Sequence, residues 1–181
     1  MDQSSQPNLA IHHVCGLDEL HRAPLASADR IVSILDPGAP LPFELRSVAV
    51  PLLVLRFEDV TNPADSLAPQ RADVEQLVAF DADAREEDRL VVHCTAGISR
   101  STAALAILLA ARHPELNDEI FAAIREIRPT AWPNALLVAH GDEALRRGGS
   151  LRAALRRHYQ FQAEHPVYGL LFRGLTQIPE D

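Results

Sequence analysis

The sequence contains no lysine, although it is 181 residues long. All 17 basic residues are arginine, and 25 acidic residues give a formal net charge of −8. This acidic balance argues against general nucleic-acid binding, which needs a basic surface. No functional argument requires the absence of lysine. We interpret it, together with the abundance of alanine, as the composition of a protein from a GC-rich bacterial genome.

Cysteine is nearly as scarce, with Cys15 and Cys94 as its two positions. Two cysteines cannot form the disulfide framework of a small secreted protein. We interpret Cys15 as a small buried hydrophobic residue and assign Cys94 to chemistry, which requires a reducing compartment. Because residues 1–7 are polar and acidic and do not resemble a signal peptide, we expect a cytoplasmic location.

Long apolar runs and metal-binding clusters are also missing. The longest apolar run, residues 103–111, is too short to cross a bilayer. His12 and His13 are the only adjacent histidine pair, and we interpret them as structural because a metal site needs further ligands at suitable spacing. The sequence therefore predicts no membrane span, no metal and no cofactor, and we expect a monomer.

One stretch combines a strand, a tight loop and a helix. Residues 90–92 are a short apolar run typical of a strand buried on both faces. Residues 101–112 are apolar almost all round, which predicts a buried helix. The loop between them begins at Cys94, turns at Gly97 and ends at Arg100. Such a turn directs the loop amides and the free donors of the first helical turn to one point, which suits a phosphate anion.

The residue types in this loop suit attack on phosphorus. Cys94, at the base of an anion site, is predicted to be a thiolate nucleophile. Arg100 has a planar guanidinium that can bind two phosphate oxygens. Ser101 can donate a hydrogen bond to the sulfur and help it leave, and His93 can hold the loop through its ring. The predicted phosphate-binding residues are Thr95, Ala96, Gly97, Ile98, Ser99 and Arg100.

The run His93-Cys94, five residues and then Arg100-Ser101 resembles the signature of the cysteine-based protein tyrosine phosphatases. The most similar branch is the compact dual-specificity group with its bacterial relatives. The resemblance implies that Cys94 is the nucleophile and that an aspartate on a separate loop is the general acid. Arg128-Pro129 followed by Pro133-Asn134 resembles another segment of that group and implies a supporting role for Asn134. Together these similarities cover about residues 28–147.

The general acid has two main candidates. Phe57-Glu58-Asp59 resembles the acid-bearing loop of the family, particularly in its phosphoinositide-phosphatase branch. Counting back from the nucleophile slightly favours Asp65. However, Asp59 directly follows an apolar strand that would fix it beside the Cys94 loop, and a proton donor must first be positioned. We therefore predict Asp59 as the acid, with Asp65 as the alternative and Glu58 third.

The pattern as a whole predicts an α/β fold with a central, mostly parallel sheet flanked by helices, in one domain spanning residues 1–181. Strands are expected at 9–15, 31–35, 47–57 (with an interruption at Pro51) and 90–92. Helices are expected at 70–85, 101–112, 117–127 and 134–147. Residues 150–181 are predicted to form a helix, through about residue 162, and a tail.

The predicted function is metal-free hydrolysis of a phosphate monoester through a phosphocysteine intermediate, with a phosphotyrosine or dual-specificity phosphoprotein as substrate. A phosphatase of phosphoinositides or other small phosphate esters would share every catalytic residue, although Thr95–Ser99 lacks the basic residues that often select polyanionic lipids. A sulfur-transferring rhodanese usually has a loop one residue shorter. A non-catalytic phosphate-binding module is the alternative of a different class, and the presence of Cys94, Arg100 and Ser101 argues against it.

Overall fold

The computed structural model of the protein describes residues 9–169. Four parallel strands form one sheet in the order β1-β4-β2-β3. The strands are β1 (His13–Cys15), β2 (Arg30–Leu35), β3 (Leu52–Arg56) and β4 (Leu90–His93). In register, His93 of β4 lies between Cys15 of β1 and Ser33 of β2. The predicted α/β fold is confirmed, and the described sheet is parallel throughout.

The α-helices pack on one face of this sheet. They are α1 (Arg71–Phe80), α2 (Arg100–Arg112), α3 (Asp118–Ile127), α4 (Ala135–Ala144) and α5 (Ser150–Glu164). Buried side chains from all five join Val32, Ile34 and Val92 in a large core. Every residue of α2 from Arg100 to Ala110 is buried, which explains its apolar sequence. A Cβ at Gly141 of α4 would lie 2.5 Å from the Ile107 side chain, so glycine permits the close approach of α4 to α2.

The opposite face of the sheet is covered by short 3-10 helices and loops. Ile31 of β2 and Val91 of β4 form a smaller core with Leu20 and Leu45. These two leucines belong to the 3-10 helices Leu17–Arg22 and Phe43–Leu45. Because both faces are covered, the two central strands are buried along almost their whole length and are mostly apolar rather than alternating.

Two strands are shorter than predicted. Leu9–Ile11 forms a 3-10 helix and β1 begins only at His13. The His12 ring accepts the Leu90 backbone N–H (3.2 Å), so a side chain takes the place of a strand partner there. β3 begins at Leu52, directly after Pro51, which has no N–H to donate to a strand ladder.

Two helices also end earlier than predicted. α1 stops at Phe80, and the next residue, Asp81, binds Arg112 through both carboxylate oxygens (2.7 Å each). α4 stops at Ala144, and Arg146 then adopts a left-handed conformation with φ 54°. α5 extends two residues beyond the prediction, to Glu164. The predicted tail from residue 170 onward lies outside the described residues.

The carboxyl ends of three strands meet at one edge of the sheet. Asp36 follows β2, Phe57 follows β3 and Cys94 follows β4. In parallel α/β sheets this edge is where ligands bind.

Candidate active site

The loop Cys94–Arg100, called the Cys94 loop below, connects β4 to α2. Its sharp turn depends on Gly97, whose φ of 70° lies in the left-handed region. A Cβ at this position would also lie 2.4 Å from the Cys15 carbonyl carbon and 2.5 Å from the Gly16 nitrogen. Glycine is therefore required here both for the backbone conformation and for the close packing of the loop on the end of β1.

The carbonyl groups of the Cys94 loop are bound by residues outside it. Leu17 N–H donates to Thr95 O (3.0 Å), and Arg128 donates to Ala96 O (3.2 Å). Trp132 N–H donates to Ile98 O (2.9 Å), and Asn134 N–H donates to Ser99 O (3.2 Å). In a trans peptide the carbonyl and the next N–H point in opposite directions. The amides of Ala96, Gly97, Ser99 and Arg100 therefore point away from these partners.

The sulfur of Cys94 is bound by one of these amides. Gly97 N–H donates to Cys94 Sγ (3.2 Å). The Ser101 hydroxyl is also 3.2 Å from the sulfur. Cys94 is 1% exposed. The Gly97 amide therefore donates to the sulfur, and the Ser101 hydroxyl lies within hydrogen-bond distance of it.

Arg100 is held along one edge of its guanidinium. Nη1 donates to Asp36 Oδ1 and to Phe57 O, both at 2.7 Å. Nη2 donates to the Thr95 hydroxyl (2.9 Å). Nε is buried and has no hydrogen-bond partner among residues 9–169. A buried donor without a partner is costly, so the Nε edge of Arg100 is suited to bind an anionic oxygen beside the loop amides.

Asp36 is a residue of this site that the sequence analysis did not identify. Its carboxylate binds Arg100 and also accepts a hydrogen bond from the Thr95 hydroxyl (3.3 Å). Asp36-Pro37-Gly38 has the composition of an ordinary turn, and that composition alone indicates no site. Its position directly after β2, at the same edge as Cys94, was the signal that could have identified it.

Asp59 lies beside the Cys94 loop. Its Oδ1 accepts hydrogen bonds from the Ser99 hydroxyl (2.7 Å) and the Asn134 amide (2.9 Å). The same Asn134 caps α4, because its Oδ1 accepts the Leu137 N–H (2.9 Å). Asn134 also donates to Val60 O (3.1 Å), so one buried amide connects the loop after β3 to the start of α4.

Asp65 has a different environment. Its Oδ1 accepts the Leu67 N–H (2.9 Å), which closes a local turn. No hydrogen bond or ion pair within the described part of the chain connects Asp65 to the Cys94 loop. Glu58 binds Leu67 O through its backbone N–H (2.8 Å). Of the three candidate acids, the structure brings Asp59 to the loop.

The ring of His93 lies between β4 and β2, just before the Cys94 loop begins. Its Nε2 makes a hydrogen bond to the Ser33 hydroxyl on β2 (2.7 Å) and not to a side chain of the loop. Burial lowers the pKa of His93, and an interaction with the Cys94 backbone partly opposes that shift. His93 thus connects the two central strands directly beneath the nucleophile.

The Arg128 side chain joins the Cys94 loop to Glu19, an ion pair that no local sequence pattern indicates. Its Nη1 donates to both carboxylate oxygens of Glu19 (2.9 Å each), while Nη2 binds Ala96 O. Glu19 in turn accepts the Gly16 N–H (2.8 Å). The Arg128 pairing lowers the pKa of Glu19, so this carboxylate stays charged.

The segment 128–134 is fixed by α5. His158 Nε2 donates to Ala131 O (3.0 Å), and Gln162 donates to the same carbonyl (2.9 Å). The Tyr159 hydroxyl donates to Pro133 O, and its ring stacks on Trp132 with centroids 4.4 Å apart. The final helix therefore positions the two backbone amides, Trp132 and Asn134, that bind the Cys94 loop.

The described residues offer neither a metal site nor a membrane span. Within residues 9–169, no group of three or more His, Cys, Asp or Glu side chains could hold a metal ion. None of the helices in that range is long and apolar enough to cross a membrane.

Comparison with known proteins gives matches at the level of structure. No protein-family model and no curated protein sequence matches the chain significantly. The human tyrosine phosphatase-like serine/threonine/tyrosine-interacting protein is similar over 78% of this chain and 95% of its own, with 21% identity and a TM-score of 0.59. DUSP15 is similar over 87% of this chain and 94% of its own, with 21% identity and a TM-score of 0.53.

A third similar structure is PTPMT1 in complex with PI(5)P, which matches over 75% of this chain and 91% of its own. Its identity to this chain is 20% and its TM-score is 0.53. At these identities the similarity establishes the fold. The protein therefore has the fold of the cysteine-based tyrosine and dual-specificity phosphatases.

Proposed function

We propose that the protein is a cysteine-dependent phosphatase that hydrolyses phosphate monoesters through a phosphocysteine intermediate. The observation that carries the proposal is that one loop holds both a sulfur bound by the Gly97 amide and a buried Arg100 Nε with no hydrogen-bond partner among the described residues. A tetrahedral phosphate offers several anionic oxygens, and this set of donors matches it. The fold shared with tyrosine and dual-specificity phosphatases supports the same conclusion.

In the first step, the Cys94 thiolate attacks phosphorus and an S–P bond forms while the bond to the leaving oxygen breaks. Asp59 gives its proton to that oxygen. Both hydrogen bonds to Asp59 reach Oδ1, so Oδ2 is the oxygen that carries the proton in this proposal. The amides of the Cys94 loop and Arg100 bind the equatorial oxygens as charge spreads over them.

In the second step, water attacks the phosphocysteine and the S–P bond breaks with its electron pair returning to sulfur. The Asp59 carboxylate accepts the proton of the water, and inorganic phosphate leaves. In this proposal the Ser101 hydroxyl donates a hydrogen bond to the departing sulfur, because a thiolate can accept hydrogen bonds but cannot donate one.

We propose phosphorylated protein side chains as the substrates, because Thr95–Ser99 contributes no basic residue for a polyanionic lipid headgroup. A reducing compartment such as the cytoplasm is part of this proposal, since Cys94 acts as a thiolate. The fold also occurs in PTPMT1, whose structure contains PI(5)P, so singly phosphorylated lipids are the competing substrates.

The test is hydrolysis of an aryl phosphate in EDTA by the full chain and two variants. Cys94→Ser should abolish turnover, because a hydroxyl in place of the thiolate is a poor nucleophile. Cys15→Ala is the matched control, since it removes the other buried cysteine, and it should retain turnover. Turnover that needs a metal, or that survives in Cys94→Ser, would contradict the proposal.

A phosphate-binding module is the second candidate, favoured by the similarity to a human protein named as phosphatase-like and interacting. Binding of a phosphotyrosine peptide by the wild-type chain without any hydrolysis would establish this candidate in place of the enzyme.

A further inference from the structure

The charge of the Asp36 carboxylate lies at the Cys94 loop, where an anion is expected to bind. Asp36 Oδ1 is 2.7 Å from Arg100 Nη1, and Oδ2 accepts from the Thr95 hydroxyl. Its side chain is 51% exposed, whereas that of Arg100 is 4% exposed. Asp36 therefore stands at the open side of the site while Arg100 lies within it.

Few positive charges are available to offset this carboxylate. Arg128 binds the Ala96 carbonyl of the loop, but its guanidinium is already paired with both carboxylate oxygens of Glu19. Arg56, the last residue of β3, donates to the carbonyls of Asp36 and Ala39, and no ion pair within the described residues joins it to the Asp36 carboxylate. Within the described residues, Arg100 is the cation that forms an ion pair with the Asp36 carboxylate.

The arrangement matches one phosphate and opposes a second one. A phosphate in the loop meets the amides and the Nε edge of Arg100, which together balance its charge. A further phosphate beside it would lie at the open side of the site, where the half-exposed Asp36 carboxylate stands. Like charges at short distance in a partly desolvated site repel each other appreciably.

We infer that Asp36 determines the charge selectivity of the site: it holds Arg100 by its outer edge and disfavours substrates that carry a second phosphate next to the first. The preferred substrates are then esters with an isolated phosphate. This inference rests on the proposed phosphatase function, because it concerns the selectivity of the same site.

The test compares inorganic phosphate with pyrophosphate, both in EDTA. Each is measured as a competitive inhibitor of aryl phosphate hydrolysis, and each is also titrated directly into Cys94→Ser by calorimetry. Asp36→Asn removes the charge but keeps an oxygen that can accept from Arg100 Nη1. Asp83→Asn is the matched control, since it changes the net charge equally. The 85% exposed Asp83 side chain binds Arg30 at the start of β2, the end opposite to Asp36.

Asp36→Asn should strengthen pyrophosphate binding relative to phosphate by about threefold to tenfold at low ionic strength, and added salt should reduce this gain. Asp83→Asn should leave the ratio unchanged. If Asp36→Asn only displaced Arg100, binding of both anions would weaken and the ratio of pyrophosphate affinity to phosphate affinity would not rise. A ratio unchanged in Asp36→Asn, or changed equally in Asp83→Asn, would overturn the inference.

The two proposals can fail separately. If the wild type hydrolyses no aryl phosphate but the binding ratio changes as described, the phosphatase function is wrong and the selectivity role of Asp36 stands. If hydrolysis occurs and the ratio does not change, only the role of Asp36 is overturned. If no hydrolysis occurs and neither anion binds, both are overturned.

Discussion

The side-chain amide of Asn134 lies 2.9 Å from Asp59 Oδ1 and donates a hydrogen bond to it. The two residues are 75 positions apart, and Asn134 is itself fixed because it caps α4. A helix cap thus determines where a carboxylate of the loop after β3 is held. This contact fixes the position of Asp59, as the proposed role of proton donor requires.

The first prediction distinguishes Asp59 from Asp65. Asp59→Asn should lower turnover of an alkyl phosphate by about 10²–10⁴-fold, because the leaving oxygen then departs without a proton. The loss should be much smaller for a nitrophenyl phosphate, whose leaving group needs no proton. Asp65→Asn is the matched control and should show neither effect. If Asp65→Asn shows this dependence on the leaving group while Asp59→Asn does not, Asp65 is the acid.

The second prediction concerns the backbone at Gly97. Gly97→Ala should destabilise the fold by about 3 kcal/mol or more, because it adds left-handed strain to a steric overlap with the end of β1. Gly38→Ala is the matched control. Gly38 also has positive φ, at 80°, but a Cβ there would meet nothing within 4 Å.

Gly38→Ala should therefore lose only about 1–2 kcal/mol and keep its activity. Urea unfolding of both variants measures the difference in free energy of unfolding. Equal losses of unfolding free energy in the two variants would show that the steric overlap with Cys15 and Gly16 adds nothing to the cost of alanine at position 97.

The third prediction is a pH dependence of stability that arises from His158. Burial lowers its pKa from 6.5 to about 4, and Arg125 adds to that shift while the hydrogen bond to Ala131 opposes it. The carbonyl requires Nε2 to donate, so Nδ1 accepts from Arg125 and the folded ring is neutral. As pH falls from 6.5 towards 4, the unfolded chain takes up a proton that the folded chain does not.

The free energy of unfolding should therefore decrease over that range by up to about 3 kcal/mol from this residue. Burial also lowers the pKa of His12 to about 4, so part of the slope should remain in His158→Gln. His21→Gln, at an exposed position, should keep the full slope. Urea unfolding between pH 7 and pH 4.5 measures all three chains, and an unchanged slope in His158→Gln would contradict the assignment.

The Cys94 loop could be predicted from the sequence because its determinants are local. A β-branched run, a glycine at the turn and an apolar helix are adjacent in the chain, and each has a physical preference for its observed structure. The carboxyl-end position of Asp59 also followed from the strand before it. The interruption at Pro51 was predicted for the same reason, since proline cannot donate to a strand ladder.

The rest of the site depends on partners far apart in the chain. Arg100 and Asp36 are 64 positions apart, and Arg128 and Glu19 are 109 apart. The pairing of β2 with β4 brings Asp36 to Arg100, and the packing around the end of α3 brings Arg128 to Glu19. No local pattern specifies either arrangement. The ends of α1 and α4 were not predicted for a similar reason. Just beyond these ends, Asp81 binds Arg112 and Arg147 binds the Ala110 carbonyl, and both partners are distant in the sequence.

The central claim is that phosphate is transferred to Cys94, and rapid acid quenching of a reaction followed by mass spectrometry tests it directly. We predict one phosphoryl group on the peptide that contains Cys94 within the first turnover, and none on that peptide in Cys94→Ser. Cys15 serves as an internal control, because burial raises the pKa of its thiol to about 12 and keeps it protonated near neutral pH. Turnover without any phosphoryl group on Cys94, or with the group on another residue, would contradict the account.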